Sequence, residues 1–141
     1  ANEIVKQRNS RKLETTGDLV ELLKPFAGRS EWKFYSQVFQ AIRIEVNDEL
    51  VSLEEALFGS LDVLKSGGRL VVISYHSLED RLVKRFMKTG NLEGEVVKDD
   101  FGVVESPWKL LVKKPVEPSE KEIEENSRAR SARMRVAEKI N

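Results

Sequence analysis

A chain of 141 residues can bury one ordinary core, and its 24 lysines plus arginines balance 24 aspartates plus glutamates. Zero net charge makes no global case for nucleic acid, so any affinity for RNA must come from local patches. With no cysteine and one histidine, disulfides, thiolate metal sites and a histidine zinc cluster are excluded, and no apolar run approaches the ~20 residues that span a bilayer.

The first residues, ANEIVKQRNSRK, carry neither a signal-peptide core nor an initiator Met and read as mid-helix sequence, which predicts a piece of a longer chain. Residues 1–13 read as a charged helix with Ile4 and Val5 as its apolar contacts. After a break at TTGD, residues 15–18, Thr16 or Asp18 caps a short helix carrying Leu19, Val20, Leu22 and Leu23, which Pro25 ends. Residues 26–35 read as a loop rich in aromatics: Phe26, Trp32, Phe34 and Tyr35. From Val38 to Leu64 the apolar residues step by three or four along one helix face, with Gly59 as the expected kink.

The densest segment is 67–81, GGRLVVISYHSLEDR. Gly67 and Gly68 close the preceding helix. Leu70, Val71, Val72 and Ile73 form an unbroken apolar run, which predicts a strand over 69–75 covered on both faces, as in a parallel α/β sheet. His76, Ser77, Glu79, Asp80 and Arg81 then crowd the point where the strand ends and a helix begins, the edge at which open α/β sheets bind ligands. A structural reading stands beside this one. Ser77 with Asp80 resembles a capping box, and a lone histidine is more often packed than catalytic.

The helix from Leu78 stops near Thr89 and Gly90, and a short strand is possible at 95–98. KLLVKK, 109–114, reads as a strand ended by Pro115; Ser119 with Glu122 caps a helix over 119–126. The tail alternates Ala132, Met134 and Val136 with Arg133 and Arg135, a period of two that favours a strand over 131–139 rather than a basic helix. Arg128, Arg130, Arg133, Arg135 and Lys139 against Glu138 leave a local charge of +4, suited to phosphates. The stretch 117–125 holds five Glu and one Lys and could neutralise it.

Arg43 and Asn47, four apart on the predicted helix, share a face and could hold a phosphate and a base edge; a solvated polar stripe is the plainer alternative. No G-x-G-x-x-G or G-x-x-x-x-G-K-[ST] loop is present, and Gly67-Gly68 lies between helix and strand, the wrong order for a phosphate cradle.

Three blocks together, VFQAIRIEVNDEL at 38–50, GGRLVVISYHSLEDRLVKRF at 67–86 and KKPVEPSEKEIEENSRARSARMRVAEK at 113–139, closely resemble the bacterial 16S ribosomal RNA cytosine-N4 methyltransferases of the MraW type. TTGDLVELL at 15–23 fits as well, so the resemblance covers essentially the whole chain. Ser127 stands where the family usually has Pro, and Tyr75 where it usually has Phe.

The resemblance implies the C-terminal half of a Rossmann-like α/β, class I S-adenosylmethionine-dependent methyltransferase. Residues 1–45 would end an inserted helical domain for substrate recognition, and 46–141 would form the second half of the sheet, with 69–75 as strand five and the tail as antiparallel strand seven. It implies methyl transfer from S-adenosylmethionine to the N4 amine of a 16S rRNA cytidine in the small subunit, in the cytoplasm. The cofactor loop would precede this segment, so no cofactor-binding residue is assigned here. Asn47, His76 and Ser77 would line the catalytic pocket. Arg43, Glu79, Asp80, Arg81, Arg128 and Arg130 would bind substrate, with Glu79, Asp80 and Arg81 alternatively organising the pocket through salt bridges. The segment alone is expected to be inactive and to self-associate through the open edge of strand 69–75. The other reading is an RNA-binding or assembly module without catalysis of its own.

Overall fold

The computed structural model describes residues 1–10, 12–102 and 104–140, which fall into two compact units, Ala1–Glu49 and Leu50–Asn141.

The first unit is helical: α1 (Asn2–Gln7), α2 (Thr16–Leu23) and α3 (Glu31–Val46). α1 is shorter than the predicted 1–13. Thr15, rather than Thr16 or Asp18, caps α2. Its hydroxyl accepts the Asp18 amide at 3.1 Å while the Asp18 carboxylate accepts the Thr15 amide at 2.9 Å. α2 gives way to a 3₁₀ turn over Lys24–Phe26, where Pro25 needs no amide partner. The aromatic loop predicted over 26–35 is cut short, because α3 starts at Glu31 and takes in Trp32, Phe34 and Tyr35. Leu23, Ala27 and Tyr35 form the buried centre, with Leu19, Val20, Phe34 and Val38 packed on it.

The long apolar face does break into two helices, but not at Gly59. α3 ends at Asn47, and Asp48 adopts a left-handed φ of 49° before α4 (Glu49–Val63) begins. A short polar side chain tolerates that conformation. Gly59 lies inside α4 without a positive φ, so nothing interrupts the helix there.

The second unit continues with β1 (Arg69–Ser74), α5 (Ser77–Thr89), β2 (Trp108–Leu110), α6 (Glu120–Glu125) and β3 (Arg133–Lys139). These strands make a three-stranded sheet in the order β1-β3-β2. Both pairings are antiparallel, with Val71 opposite Val136 and Lys109 opposite Glu138. The tail therefore is a strand, as its period of two predicts, starting at Arg133 because Ser127–Ser131 winds as a 3₁₀ turn. β2 stops at Leu110 rather than 114, and 95–98 contributes only an isolated bridge, Lys98 to Val104. No parallel pair occurs among the described residues.

Leu57, Val83, Phe86, Met87, Trp108 and Ala137 form the core, with Leu70 and Val72 of β1 packed against it. Phe86 lies edge-on to Phe58 and tilted to Trp108, with centroids 5.4 and 5.8 Å apart. β1 is not covered on both faces: Val71 and Ile73, on the side away from this core, are 53% and 54% exposed. Its alternation of half-buried and exposed residues is that of a strand with one solvent face.

Candidate functional site

The strand-to-helix exit after β1 is built by a capping box, shifted one residue from the predicted Ser77 and Asp80. His76 is extended and caps α5: its Nδ1 accepts the Glu79 amide at 3.4 Å. The Glu79 carboxylate reaches back to the amides of Tyr75 at 2.9 Å and His76 at 3.3 Å. A neutral imidazole that accepts at Nδ1 carries its proton on Nε2. That nitrogen is buried, lies 3.2 Å from Glu79 Oε1 and has no aligned hydrogen-bond partner. Ser77 becomes the first residue of α5, its hydroxyl spared from capping.

The shift frees Asp80 for another task. In the antiparallel register Arg133 lies opposite Ser74 and Arg135 opposite Val72, so both arginines share the face of β1 that packs on the core. Arg135 Nε and Nη2 donate to the two oxygens of Asp80 at 2.7 and 3.0 Å in a buried fork, and Arg133 adds a contact at 3.5 Å. The hydrogen bond from Arg135 holds the Asp80 carboxyl below its ordinary value against the opposing pull of burial, with the positive charges of Arg135 and Arg133 adding to it. Expected as a substrate contact, Asp80 is instead a buried ion-pair partner, which favours the salt-bridge reading; its partner is Arg135 rather than Arg81. Arg81 is exposed on α5.

A cleft of about 350 Å³ opens beside this cap, lined by Tyr75, His76, Ser77, Glu117, Arg130 and Arg133, with Ser131 and Ala132. Paired backbone bonds between Val116 and Met134, at 2.8 and 2.9 Å, bring the chain across β3 and place Glu117 at the rim. Asn126 caps the following 3₁₀ turn by accepting the Arg128 amide at 3.2 Å, and buried Ala129 anchors it. Arg128 and Arg130 are thereby left exposed on either side of Ala129.

Of the tail's five cations, two belong to the fold rather than to a ligand. Arg135 is paired with Asp80, and Lys139 Nζ donates to the carbonyls of Leu61 and Leu64 at 2.5 and 2.8 Å, closing the C-terminal end of α4. Arg133 stands between Asp80 and Glu117. The acidic stretch therefore neutralises the patch only in part, and Arg128 and Arg130 carry the remaining exposed charge.

Arg43 and Asn47 belong to the first unit. Asn47 is the residue that ends α3, and both side chains converge on Glu49: Arg43 by a fork at 2.7 and 3.0 Å, Asn47 at 3.2 Å. Of the expected site residues, the fold brings His76, Ser77 and Arg130 to one cleft, whose lining also takes in Tyr75, Glu117 and Arg133, and it pairs Asp80 with Arg135, in line with the salt-bridge alternative. The missed signal lies in the tail, where Arg133 and Arg135 are two apart and so share one face of a strand.

The glycine turn does not fit a nucleotide cofactor. Gly67 and Gly68 donate their amides to the carbonyls of Lys139 and Lys65, each at 2.8 Å, so neither is left to hold a ligand.

The chain matches the model of the MraW methylase family over residues 1–140 and belongs to that family. It is 56% identical over 141 residues to the ribosomal RNA small subunit methyltransferase H of Parabacteroides distasonis, covering 99% of this chain and 46% of that protein. Proteins of the same name from Amoebophilus asiaticus and Bacteroides fragilis strain YCH46 are 54% and 52% identical over 140 residues, covering 99% of this chain and 45% and 46% of theirs. The chain therefore spans about half the length of the curated relatives it matches. Among the described residues no helix is long and apolar enough to cross a membrane.

Proposed function

We propose that this segment is the RNA-binding, C-terminal part of a cytoplasmic methyltransferase acting on the N4 amine of a cytidine in 16S ribosomal RNA. The observation that carries the reading is the cleft at the start of α5. There His76, Ser77 and the exposed Arg130 line one cleft beside the carboxyl end of β1. A base must be unstacked to be methylated, and such a cleft offers polar atoms for a base edge and a cation for the adjoining phosphate. Asp80 and Arg135 do not touch substrate in this account. They fix α5 to β3 and thereby hold the cleft's two walls together. Asn47 and Arg43, held by Glu49, present a second polar group for RNA on the first unit.

The order β1-β3-β2 and the antiparallel β1–β3 pair support assigning 46–141 to the second half of a Rossmann-like sheet, and 1–45 to the end of a helical insertion. S-adenosylmethionine would supply the methyl group, and its binding loop belongs to sequence outside this chain. The segment alone is then inactive, a binding module rather than a catalyst.

The test is methyl transfer from labelled S-adenosylmethionine to small ribosomal subunits by the full-length protein containing this segment, with the acceptor read by mass spectrometry. Label on a cytidine N4 is the expected result; label elsewhere, or transfer by the 141-residue chain alone, contradicts the proposal.

A further inference from the structure

The chain between α5 and β2 folds back on itself and carries an aromatic ring at its tip. The Glu105 amide donates to the Val97 carbonyl at 2.9 Å, and Lys98 pairs with Val104 in an antiparallel bridge. Asp99 sets the turn: its carboxylate accepts the Phe101 amide and its carbonyl accepts the Gly102 amide, both at 2.9 Å, with Gly102 at a φ of 80°. Phe101 is 93% exposed, the most exposed large apolar side chain among the described residues, and Val96, Val97 and Val104 are exposed on the same loop.

The base of the loop is fixed. Asn91 Oδ1 accepts the amides of Gly94 and Glu95 at 2.8 and 3.0 Å, its Nδ2 donates to the Glu95 carbonyl at 2.8 Å, and Leu92 packs on the core. On the return, Pro107 lies against Gly90, where a Cβ would meet its ring at 2.5 Å, and its carbonyl accepts the Ile140 amide at 2.8 Å. An apolar ring held out in water on a fixed loop gains by burial and loses little freedom on docking, which is what an interface anchor requires.

Charge selects the partner. Residues 91–106 hold Glu93, Glu95, Asp99, Asp100 and Glu105 against Lys98, a net −4 in a chain of zero net charge. Glu93, Glu95, Asp100 and Glu105 are exposed and, among the described residues, in no ion pair. Such a loop repels phosphate, so neither RNA nor an anionic lipid surface suits it. A basic protein surface with an apolar pocket matches its charge and its ring together.

We propose that the Phe101 loop docks on a basic protein of the small ribosomal subunit, seating the ring in an apolar pocket while the acids face the partner's cations. This rests on the ribosomal RNA reading above and adds a protein contact to it.

A photoreactive benzophenone in place of Phe101 in the full-length protein, irradiated with small ribosomal subunits, tests it. The adduct should form with a basic subunit protein. Phe101→Ser should weaken subunit binding about tenfold or more, and Asp100→Lys should weaken it too, while binding to a single-stranded fragment of 16S rRNA stays undiminished in both. Adducts only to rRNA, to an acidic protein or to a second copy, or no adduct at all, would overturn the proposal. So would subunit binding unaffected by Phe101→Ser; if Arg128→Ala with Arg130→Ala weakened that binding, the cleft reading would stand while this one fell. Failure of the unsubstituted protein to bind subunits would defeat both.

Discussion

Asp80 and Arg135 lie 55 residues apart in the chain and meet in a buried two-pronged ion pair, at 2.7 and 3.0 Å. The pair joins the first turn of α5 to the middle of β3, so it ties the strand-to-helix exit to the arginine-bearing tail. Removing one partner strands a buried charge. Asp80→Asn should therefore cost about 3–5 kcal/mol, whereas Asp80→Leu with Arg135→Met together should cost far less. Urea denaturation of the three chains checks this through their midpoints.

The same pair sets an acid limit. The folded Asp80 carboxyl ionises below its ordinary value of 3.8, so its stabilisation is present in full above that value and is lost as pH falls through the lower folded value. Urea midpoints measured down through this range should fall more steeply for the native chain than for Asp80→Asn. Parallel curves would remove Asp80 from the acid response.

His76 has two tasks that can be separated. Its Nδ1 caps α5, and the residue also lines the cleft, with Nε2 buried 3.2 Å from Glu79 Oε1. His76→Ala should cost about 1 kcal/mol through the lost cap. His76→Asn restores a good cap and should return stability to within a few tenths. Methylation by the full-length enzyme should fall strongly in both. Activity that recovers with stability in His76→Asn would leave the histidine as a cap alone.

β1 pairs on one side only among the described residues, and Val71 and Ile73 leave its outer face apolar and half exposed. An open apolar edge templates pairing with a second chain. Light scattering of the 141-residue chain should show dimers or larger species, and Val71→Lys should shift them towards monomer. A monomer for the unsubstituted chain would remove self-association from the account.

How far the sequence reveals this site depends on the range of the interactions that form it. Local signals are legible. Gly90 closes α5 with a left-handed φ of 77°, Ser119 caps α6 by accepting the Glu122 amide at 3.2 Å, and the period-two tail is a strand. The capping residue of α5 is harder to read, because Ser77 and His76 each stand three residues before an acid and only the backbone decides which is extended. The Asp80–Arg135 pair depends on a register between segments far apart, which no local pattern carries. The same holds for β1: its apolar run suits a fully covered strand, yet which face is covered here follows from which elements pack on it.

The central claim, that the exposed tail arginines beside the His76 cleft bind RNA, is tested most directly by the salt dependence of affinity. A single-stranded fragment of 16S rRNA is titrated into the chain, and the slope of log K against log salt is compared with that of Arg128→Ala combined with Arg130→Ala. Losing two phosphate contacts should weaken binding and flatten the slope by about 1.4. An unchanged slope and affinity would contradict the account and leave Arg128 and Arg130 as solvated surface charge.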